Sequence, residues 1–298
     1  MQQPIVLSLG EILWDVLPSG KRAGGAPVNF SYHASKNGAQ GYAISAVGRD
    51  ELGRELEDAV AQAGVKALLQ HNKWPTSTVE VQLTEGIPRY VFKEDVAWDH
   101  MELTDELEAL AGRADAICYG TLGMRSPQSR RTFCQLLEAT RPDAMRFFDI
   151  NLRGAYYRKD LIEQLLGMAT MFKINDVELV VLRDMFHIPG ESDAEPVRWF
   201  FDHYEMDTVI LTAGGDYSTI FLRDGSSSKL NTPHVTVADT VGAGDAFSGT
   251  FATNRLEGKS LAQAHRAAVN TAAFVCTQSG AWPAYPEQIP DYLAQQGE

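Results

Sequence analysis

A glycine-rich turn near the carboxyl end of the chain carries the residues best suited to chemistry. Residues 239–249 read DTVGAGDAFSG, follow a strand-like segment at 234–237, and open a helical pattern that runs to about residue 256. Turns of Gly and Ala let the backbone approach a ligand closely, and the unpaired N–H groups of a helix start attract negative charge. The amides of Gly242, Ala243 and Gly244 therefore predict an anion site, and phosphate is the ligand we expect there.

Asp245 lies in the first turn of the helix that this turn opens. Its carboxylate would stand beside the bound anion, where a general base must be to take a hydroxyl proton during phosphoryl transfer. An aspartate in a first helical turn also serves simply to complement the helix dipole, so both interpretations stay open from the turn alone. The Walker A pattern is absent, and Gly10-Glu11-Ile12 does not continue into GxGxxG, so neither a P-loop ATPase nor a dinucleotide dehydrogenase is supported.

A second polar group follows a predicted core strand. Asp149, Asn151 and Arg153 follow residues 145–148, at the carboxyl end of that strand. Open α/β sheets bind their ligands at the carboxyl ends of strands, and an arginine can clamp phosphate oxygens with its planar guanidinium group. A surface salt bridge between Arg153 and Asp149 is the alternative interpretation.

The elements that must position these residues alternate along the chain. Apolar runs suited to buried parallel strands occur at 5–9, 42–47, 116–119, 146–150, 171–174 and 208–212. Helical spacing occurs between them, for example at 52–64, 128–140 and 177–186. This order predicts a doubly wound parallel sheet with helices on both faces.

One stretch departs from that pattern. Residues 78–84 alternate strictly, turn at Glu85-Gly86, and continue into 87–93, which predicts an antiparallel hairpin. The short strand predicted at 11–17 follows the first core strand too soon for a helical crossover, so we expect it to join the hairpin in a small sheet. Such a sheet could cover a ligand, or it could merely extend the edge of the main sheet; the hairpin alone does not decide.

Composition narrows the class of protein. With 39 acidic and 26 basic residues, a net charge of -13 and no basic blocks, nucleic-acid and anionic-membrane partners are disfavoured. The three cysteines, Cys118, Cys134 and Cys276, lie far apart, which argues against a zinc site or a disulfide framework. The amino-terminal segment lacks the pattern of an export signal and no stretch is apolar enough to span a membrane, so we expect a cytoplasmic protein.

Two signatures resemble those of the PfkB, or ribokinase-like, family of carbohydrate kinases. They are DTVGAGDAF at 239–247 and the amino-terminal pair GGAPVN at 24–29 and VGRDELG at 47–53; GEILWDVLP at 10–18 is most similar to bacterial fructokinases. The resemblance implies one domain over 1–298, a three-layer α/β/α sandwich with a small β-sheet lid from about 11–23 and 76–98. It also implies ATP and Mg²⁺ as co-reactants, and a homodimer formed through the lids.

The same resemblance assigns residues to a sugar site. It places the sugar at Asp15, Gly25 and Asn29, with Asp245 as the base, and sets Arg153 beside the transferred phosphoryl group. Asp15 shares a strand face with leucines, an unusual place for a carboxylate unless it binds something. Without the resemblance, Asp15 could merely begin the Pro18-Ser19-Gly20 turn and Asn29 could cap a helix. Trp98, after the hairpin, could cap the sugar or anchor the lid.

The resemblance also assigns a nucleotide side. Glu178 of Asn175-Asp176-Val177-Glu178 would hold hydrated Mg²⁺, although the four residues also fit a helix capping box. Thr212 and Gly214 match a nucleotide motif whose usual last glycine is replaced by Tyr217, and Asn270 would line the adenine pocket. A monovalent cation such as K⁺ beside Asp239 is a further option.

D-fructose, giving fructose 6-phosphate, is the first expectation for the substrate. Ribose, 2-keto-3-deoxygluconate or a nucleoside are alternatives within the class. A non-catalytic sugar or nucleotide sensor is a second class, which the intact Asp245 loop disfavours, and a nicotinamide-dependent oxidoreductase is a third, which the missing GxGxxG disfavours.

Overall fold

The computed structural model describes residues 2–17, 20–84, 87–190 and 192–294. The turn predicted at Glu85-Gly86 lies outside the described residues, as do Pro18 and Ser19 of the turn predicted at Pro18-Ser19-Gly20. Within the described residues no helix is long and apolar enough to cross a membrane.

The main sheet has nine strands, of which seven are parallel. Its two remaining strands extend one edge in antiparallel pairing, an extension that the sequence patterns did not predict. In spatial order the strands are β13 (Ser227–Asn231), β12 (Tyr217–Leu222), β11 (Thr208–Ala213), β10 (Met171–Asn175), β9 (Met145–Asp149), β8 (Ala116–Tyr119), β1 (Ile5–Leu9), β4 (Gln40–Gly48) and β5 (Lys66–Asn72).

Helices cover both faces of this sheet because successive strand residues point to opposite sides. Val6 and Phe147 pack with one group of helices, while their neighbours Leu7 and Phe148 pack with the other. The first group is α1 (Ala26–Lys36), α8 (Ala243–Leu256) and α9 (Leu261–Cys276). The second group is α3 (Asp105–Ala111), α4 (Pro127–Glu138), α5 (Lys159–Met168), α6 (Asp176–Phe186) and α7 (Ala194–His203). The predicted α/β/α sandwich is confirmed.

The edge beyond β1 has its own small core. Helix α2 (Glu51–Gln62) packs Leu56 and Val60 against Ala43 and Val47 of β4. Asp50 caps this helix by accepting a hydrogen bond from the Gly53 N–H, at 2.8 Å, so the VGRDELG segment begins a helix directly after a strand.

A separate four-stranded sheet lies outside the main one. It contains β3 (Gly20–Gly24), β2 (Leu13–Leu17), β6 (Ser77–Thr84) and β7 (Ile87–Phe92) in that order. β2 pairs with β6 in parallel, so the short strand does join the hairpin. This arrangement excludes an edge extension of the main sheet, and that this separate sheet moves as a lid stays a prediction.

One strand prediction is wrong. Residues 234–237 form no strand, because they lie between β13 and α8 without pairing to either sheet. Pro233, just before them, is buried and has no N–H to donate to a neighbouring strand.

Candidate active site

A cavity opens at the carboxyl ends of the central parallel strands. The chain runs from β1 to β4 on one side and resumes with β8 on the other, so strand order reverses between β1 and β8. Open α/β sheets form their binding crevice at such a point. The cavity walls here include Glu11, Thr121, Asp149, Asn151 and Asp245.

Helix α8 begins at this cavity with a glycine in a left-handed conformation. Gly242 has φ of 79°, and a Cβ atom there would lie 2.6 Å from the Cβ of Ala281, so a side chain would not fit. Within the described part of the chain, the Gly244 and Asp245 N–H groups have no hydrogen-bond acceptor. Free amides at a helix start, beside exposed Gly244, form a site for an anion.

Asp245 is held by Asn29 from α1. Nδ2 of Asn29 donates a hydrogen bond to Oδ2 of Asp245 at 2.8 Å, and Nε1 of Trp282 donates to Oδ1 of Asn29 at 2.7 Å. Burial, reinforced by the negative charge of Asp149, raises the pKa of Asp245 to about 7, while the Asn29 hydrogen bond and the charges of Lys173 and Arg153 oppose the rise. A carboxylate with this pKa is suited to general-base work near neutral pH.

Asp149 forms a buried ion pair with a lysine that sequence reasoning missed. Lys173 Nζ lies 2.8 Å from Asp149 Oδ2, and Ser248 Oγ donates to the same oxygen at 2.9 Å. The lysine is 8% exposed. A lysine inside the apolar strand MFKIN was the signal that could have revealed it, because lysines are seldom buried unless paired.

Asp15 and Gly25 lie at the junction of the small sheet and α1. Asp15 is partly buried on β2, and burial raises its pKa against the opposing charges of Arg153 and Arg22. Gly25 has φ of 128°, and a Cβ there would lie 2.4 Å from the Glu11 carbonyl oxygen. Only glycine therefore lets α1 begin so close to the Glu11 backbone.

Asn151 and Arg153 lie in the loop that follows β9. Asn151 has a positive φ of 42°, and the Arg153 side chain is exposed, donating only to the neighbouring Leu152 carbonyl within the described residues. No ion pair joins Arg153 to Asp149, which is instead bound to Lys173. The guanidinium charge acts on Glu11, Asp15 and Asp245, so Arg153 belongs electrostatically to the cavity.

Glu178 caps α6. Its Oε2 accepts from the Asn175 N–H at 3.0 Å, its Oε1 accepts from the Leu152 N–H at 2.8 Å, and Oδ1 of Asn175 accepts from the Glu178 N–H. The capping-box interpretation is therefore correct for both residues. A second role for Glu178 in holding hydrated Mg²⁺ stays a prediction.

The predicted nucleotide-side residues are more dispersed. Thr212 is the penultimate residue of β11, and Gly214, just beyond the strand, has φ of 48°. Asn270 uses its amide to bind Asp291 and the Leu293 N–H, and so holds the carboxyl-terminal segment.

Asp239 accepts hydrogen bonds from the N–H groups of Val241 and Gly280 and from Arg22 of β3. The roles of Asp239 and of the nucleotide-side residues above towards a nucleotide or a cation stay predictions.

Trp98 is fully buried, with the Arg125 guanidinium carbon 4.0 Å from its ring centroid. Arg125 also forms a two-pronged ion pair with Asp99. Phe92 of β7 packs against the cluster that Trp98 forms with Val96 and Leu122, which favours the interpretation that Trp98 anchors the small sheet.

The residues present fit a metal only through water and phosphate. No cluster of three or more His, Cys, Asp or Glu side chains in the described ranges could hold an ion on its own. Mg²⁺ usually keeps several waters and binds substrate phosphates, so one or two nearby carboxylates suffice.

Comparison with known proteins gives a consistent result. A family model described as pfkB family carbohydrate kinase matches residues 17–288. Fructokinase-1 of Zea mays is 26% identical over 315 residues, covering 95% of each chain. A 5-dehydro-2-deoxygluconokinase of Bacillus thuringiensis is 24% identical over 287 residues, covering 89% of this chain and 83% of the relative. The crystal structure of a fructokinase with bound ATP from Xylella fastidiosa has a TM-score of 0.84 at 20% identity, with both chains fully covered.

Proposed function

The chain belongs to the pfkB family of carbohydrate kinases, and we propose that it transfers the γ-phosphoryl group of ATP to a hydroxyl of D-fructose, giving fructose 6-phosphate. One observation carries this proposal. Asp245 lines the cavity with a pKa of about 7, directly at the start of α8, where free amides can hold the phosphoryl group.

The chemistry needs one proton acceptor and one anion site. Asp245 takes the proton of the sugar hydroxyl while that oxygen bonds to the γ-phosphorus. The bond from this phosphorus to the bridging oxygen breaks and leaves ADP. The free N–H groups of Gly244 and Asp245 stabilise the charge on the moving group, whereas the predicted Ala243 N–H already donates to the Thr240 carbonyl at 3.3 Å. Mg²⁺, when bound, neutralises phosphate charge, and Glu178 would hold it through water.

Neither neighbouring aspartate is as well suited to be the base. Asp149 is bound by Lys173 and Ser248, and Asp239 is bound by Arg22 and two backbone amides. Donors already occupy several acceptor positions of these two carboxylates, whereas Asp245 accepts only the Asn29 hydrogen bond within the described residues.

The sugar would lie between the small sheet and α1. Asp15 would accept hydrogen bonds from sugar hydroxyls, and Gly25 would let the sugar approach the backbone. Asn29 has one Nδ2 hydrogen left after binding Asp245, and this hydrogen would reach a sugar oxygen. Arg153 would bind phosphoryl oxygens from the exposed side.

ATP is supported by the bound nucleotide in the Xylella fastidiosa fructokinase structure. Asn175, Thr212, Gly214 and Asn270 would form its binding side. A K⁺ ion at Asp239 would have to displace Arg22, so we rank K⁺ below ATP and Mg²⁺ among the proposed cofactors. A homodimer through the small sheets is supported by two exposed valines there, Val16 and Val91.

Fructose is preferred because the Zea mays and Xylella fastidiosa relatives are fructokinases, and the second candidate is the acid substrate of 5-dehydro-2-deoxygluconokinases. The test is a coupled ADP-release assay with fructose, ribose, nucleosides, 2-keto-3-deoxygluconate and 5-dehydro-2-deoxygluconate. We expect fructose to give the highest kcat/KM. ADP release with none of these acceptors would overturn the proposal and favour a non-catalytic sensor.

A further inference from the structure

We propose that Glu11 binds a hydroxyl of the acceptor sugar and that its charge restricts the acceptor to neutral sugars. This inference rests on the proposed function, since it concerns the acceptor side of the same cavity. Glu11 has no role in the chemistry described above. It lies in the short link between β1 and β2, in the wall of the cavity.

The position of Glu11 is fixed by backbone packing. The start of α1 packs against the Glu11 backbone at Gly25, where a Cβ would lie 2.4 Å from the Glu11 carbonyl oxygen. Its side chain lines the cavity together with Asp149 and Asp245, yet the residue is only 8% exposed. The Ala26 N–H also holds the Glu11 carboxylate, and a side chain held in this way can select a ligand without reordering when the ligand binds.

Much of the hydrogen-bonding capacity of this carboxylate is unused. Within the described residues, the only hydrogen bond that another residue gives it comes from the Ala26 N–H to Oε1, at 3.2 Å. A carboxylate has about four acceptor positions, so Oε2 stays available to a donor in the cavity. Burial raises the pKa of Glu11, while the Ala26 hydrogen bond and the charges of Arg153 and Arg125 oppose the rise. A sugar hydroxyl would supply the missing donor and stabilise the charged form.

Apart from the free amides at the start of α8, the charge of the cavity wall disfavours an anionic group on the acceptor. Three carboxylates line it, from Glu11, Asp149 and Asp245, and Lys173 is already paired with Asp149. Arg125, whose charge also acts on Glu11, is paired with Asp99. Arg153 is exposed at the rim. A sugar hydroxyl can donate to Glu11, whereas the carboxylate of a sugar acid would meet a like charge.

The variant Glu11→Gln tests both claims, the hydrogen bond from Glu11 to the sugar and the restriction to neutral acceptors. The amide can still accept from Ala26 through its oxygen, but it presents an N–H donor to the sugar and carries no charge. We expect KM for the neutral sugar to rise about 5- to 20-fold, with KM for ATP within about twofold, because one charge-assisted hydrogen bond is lost. The ratio of kcat/KM for 5-dehydro-2-deoxygluconate to that for fructose should rise at least about tenfold. Glu106→Gln, the same change at an exposed position in the first turn of α3, is the matched control and should alter neither value.

A purely structural Glu11 gives a different result. If Glu11→Gln lowers the melting temperature while sugar KM and the acid-to-neutral ratio stay at wild-type values, the inference is wrong. Should that variant fail to fold, Glu11→Asp decides: a higher sugar KM with sugar acids still excluded supports the inference, and an unchanged KM overturns it.

The two proposals fail separately. A wild-type protein that phosphorylates fructose while Glu11→Gln behaves identically contradicts only the inference. A wild-type protein that releases ADP with none of the acceptors contradicts the proposed function. In that case, sugar binding is measured by the rise in melting temperature that the sugar causes in the wild type. Loss of this rise in Glu11→Gln would still support the role of Glu11. The same rise in Glu11→Gln would overturn that role.

Discussion

The side-chain amide of Asn29 holds Asp245 from α1, through a 2.8 Å hydrogen bond from Nδ2 to Oδ2. The amide is itself fixed, because Nε1 of Trp282 donates to its oxygen at 2.7 Å. The indole therefore determines which end of the amide faces the proposed base. An amide turned the other way would present its oxygen to the carboxylate and repel it.

Trp282→Phe should loosen this arrangement without touching the substrate. The Asn29 hydrogen bond lowers the pKa of Asp245, so its weakening should move the acidic midpoint of the kcat–pH profile upward. We expect kcat at pH 7 to fall about 3- to 10-fold. Trp199→Phe, on α7 away from the cavity, is the control. An unchanged midpoint would show that Trp282 does not position the base.

Lys173→Met should destabilise the protein strongly, because it leaves the Asp149 carboxylate buried without its cation. Breaking a buried pair from one side typically costs about 3–5 kcal/mol. Urea unfolding measures this loss, and adding Asp149→Asn should recover part of it. Arg158→Met, which removes an exposed pair with Asp160, should leave the free energy of unfolding almost unchanged. Equal effects of the two methionine variants would contradict the account.

Asp245 should also make stability depend on pH. Its folded-state pKa of about 7 lies above the ordinary value of 3.8, so its protonated form stabilises the fold. This contribution is complete below pH 3.8 and is lost as pH rises through about 7. Asp245→Asn does not titrate. The melting temperature of this variant minus that of the wild type should therefore increase between pH 5 and pH 8, and a constant difference would argue against the raised pKa.

The small sheet should respond to the ligand. Arg22 of β3 forms an ion pair with Asp239 in the loop before α8, across 3.1 Å. We expect sugar and nucleotide together to slow amide deuterium exchange in β2 and β6, and Arg22→Gln to speed exchange of β3 in the free protein. Because the pair is partly exposed, the effect on overall stability should be small. Equal exchange with and without ligands would remove support for a moving lid.

The sequence predicted the fold well where hydrophobic patterning was periodic. The runs at 5–9 and 116–119 match β1 and β8 in full, because buried parallel strands read as unbroken apolar segments. The run 234–237 was wrongly predicted as a strand, because its residues resemble a strand but pair with no strand of either sheet. β12 was missed because the buried polar pair Ser218 and Thr219 interrupts its apolar run, and β13 because exposed polar residues interrupt its pattern.

The site was predicted less completely. Asp245 and Asn29 come from signatures about two hundred residues apart, and the structure joins them by one hydrogen bond. Lys173 and Glu11 were missed as site residues because their significance depends on partners from other elements. Lys173 is significant because it forms an ion pair with Asp149, and Glu11 because it lines the cavity with Asp245. No local spacing encodes such contacts.

The central claim is that Asp245 is the general base. The direct test is the single-turnover and steady-state kcat of Asp245→Asn, an almost isosteric change that keeps hydrogen bonding and removes the basic oxygen. The account predicts that kcat falls roughly 100- to 10,000-fold while ATP and sugar still bind and the protein stays folded. A variant that kept more than about a tenth of the wild-type kcat would contradict it and return Asp245 to a helix-start residue.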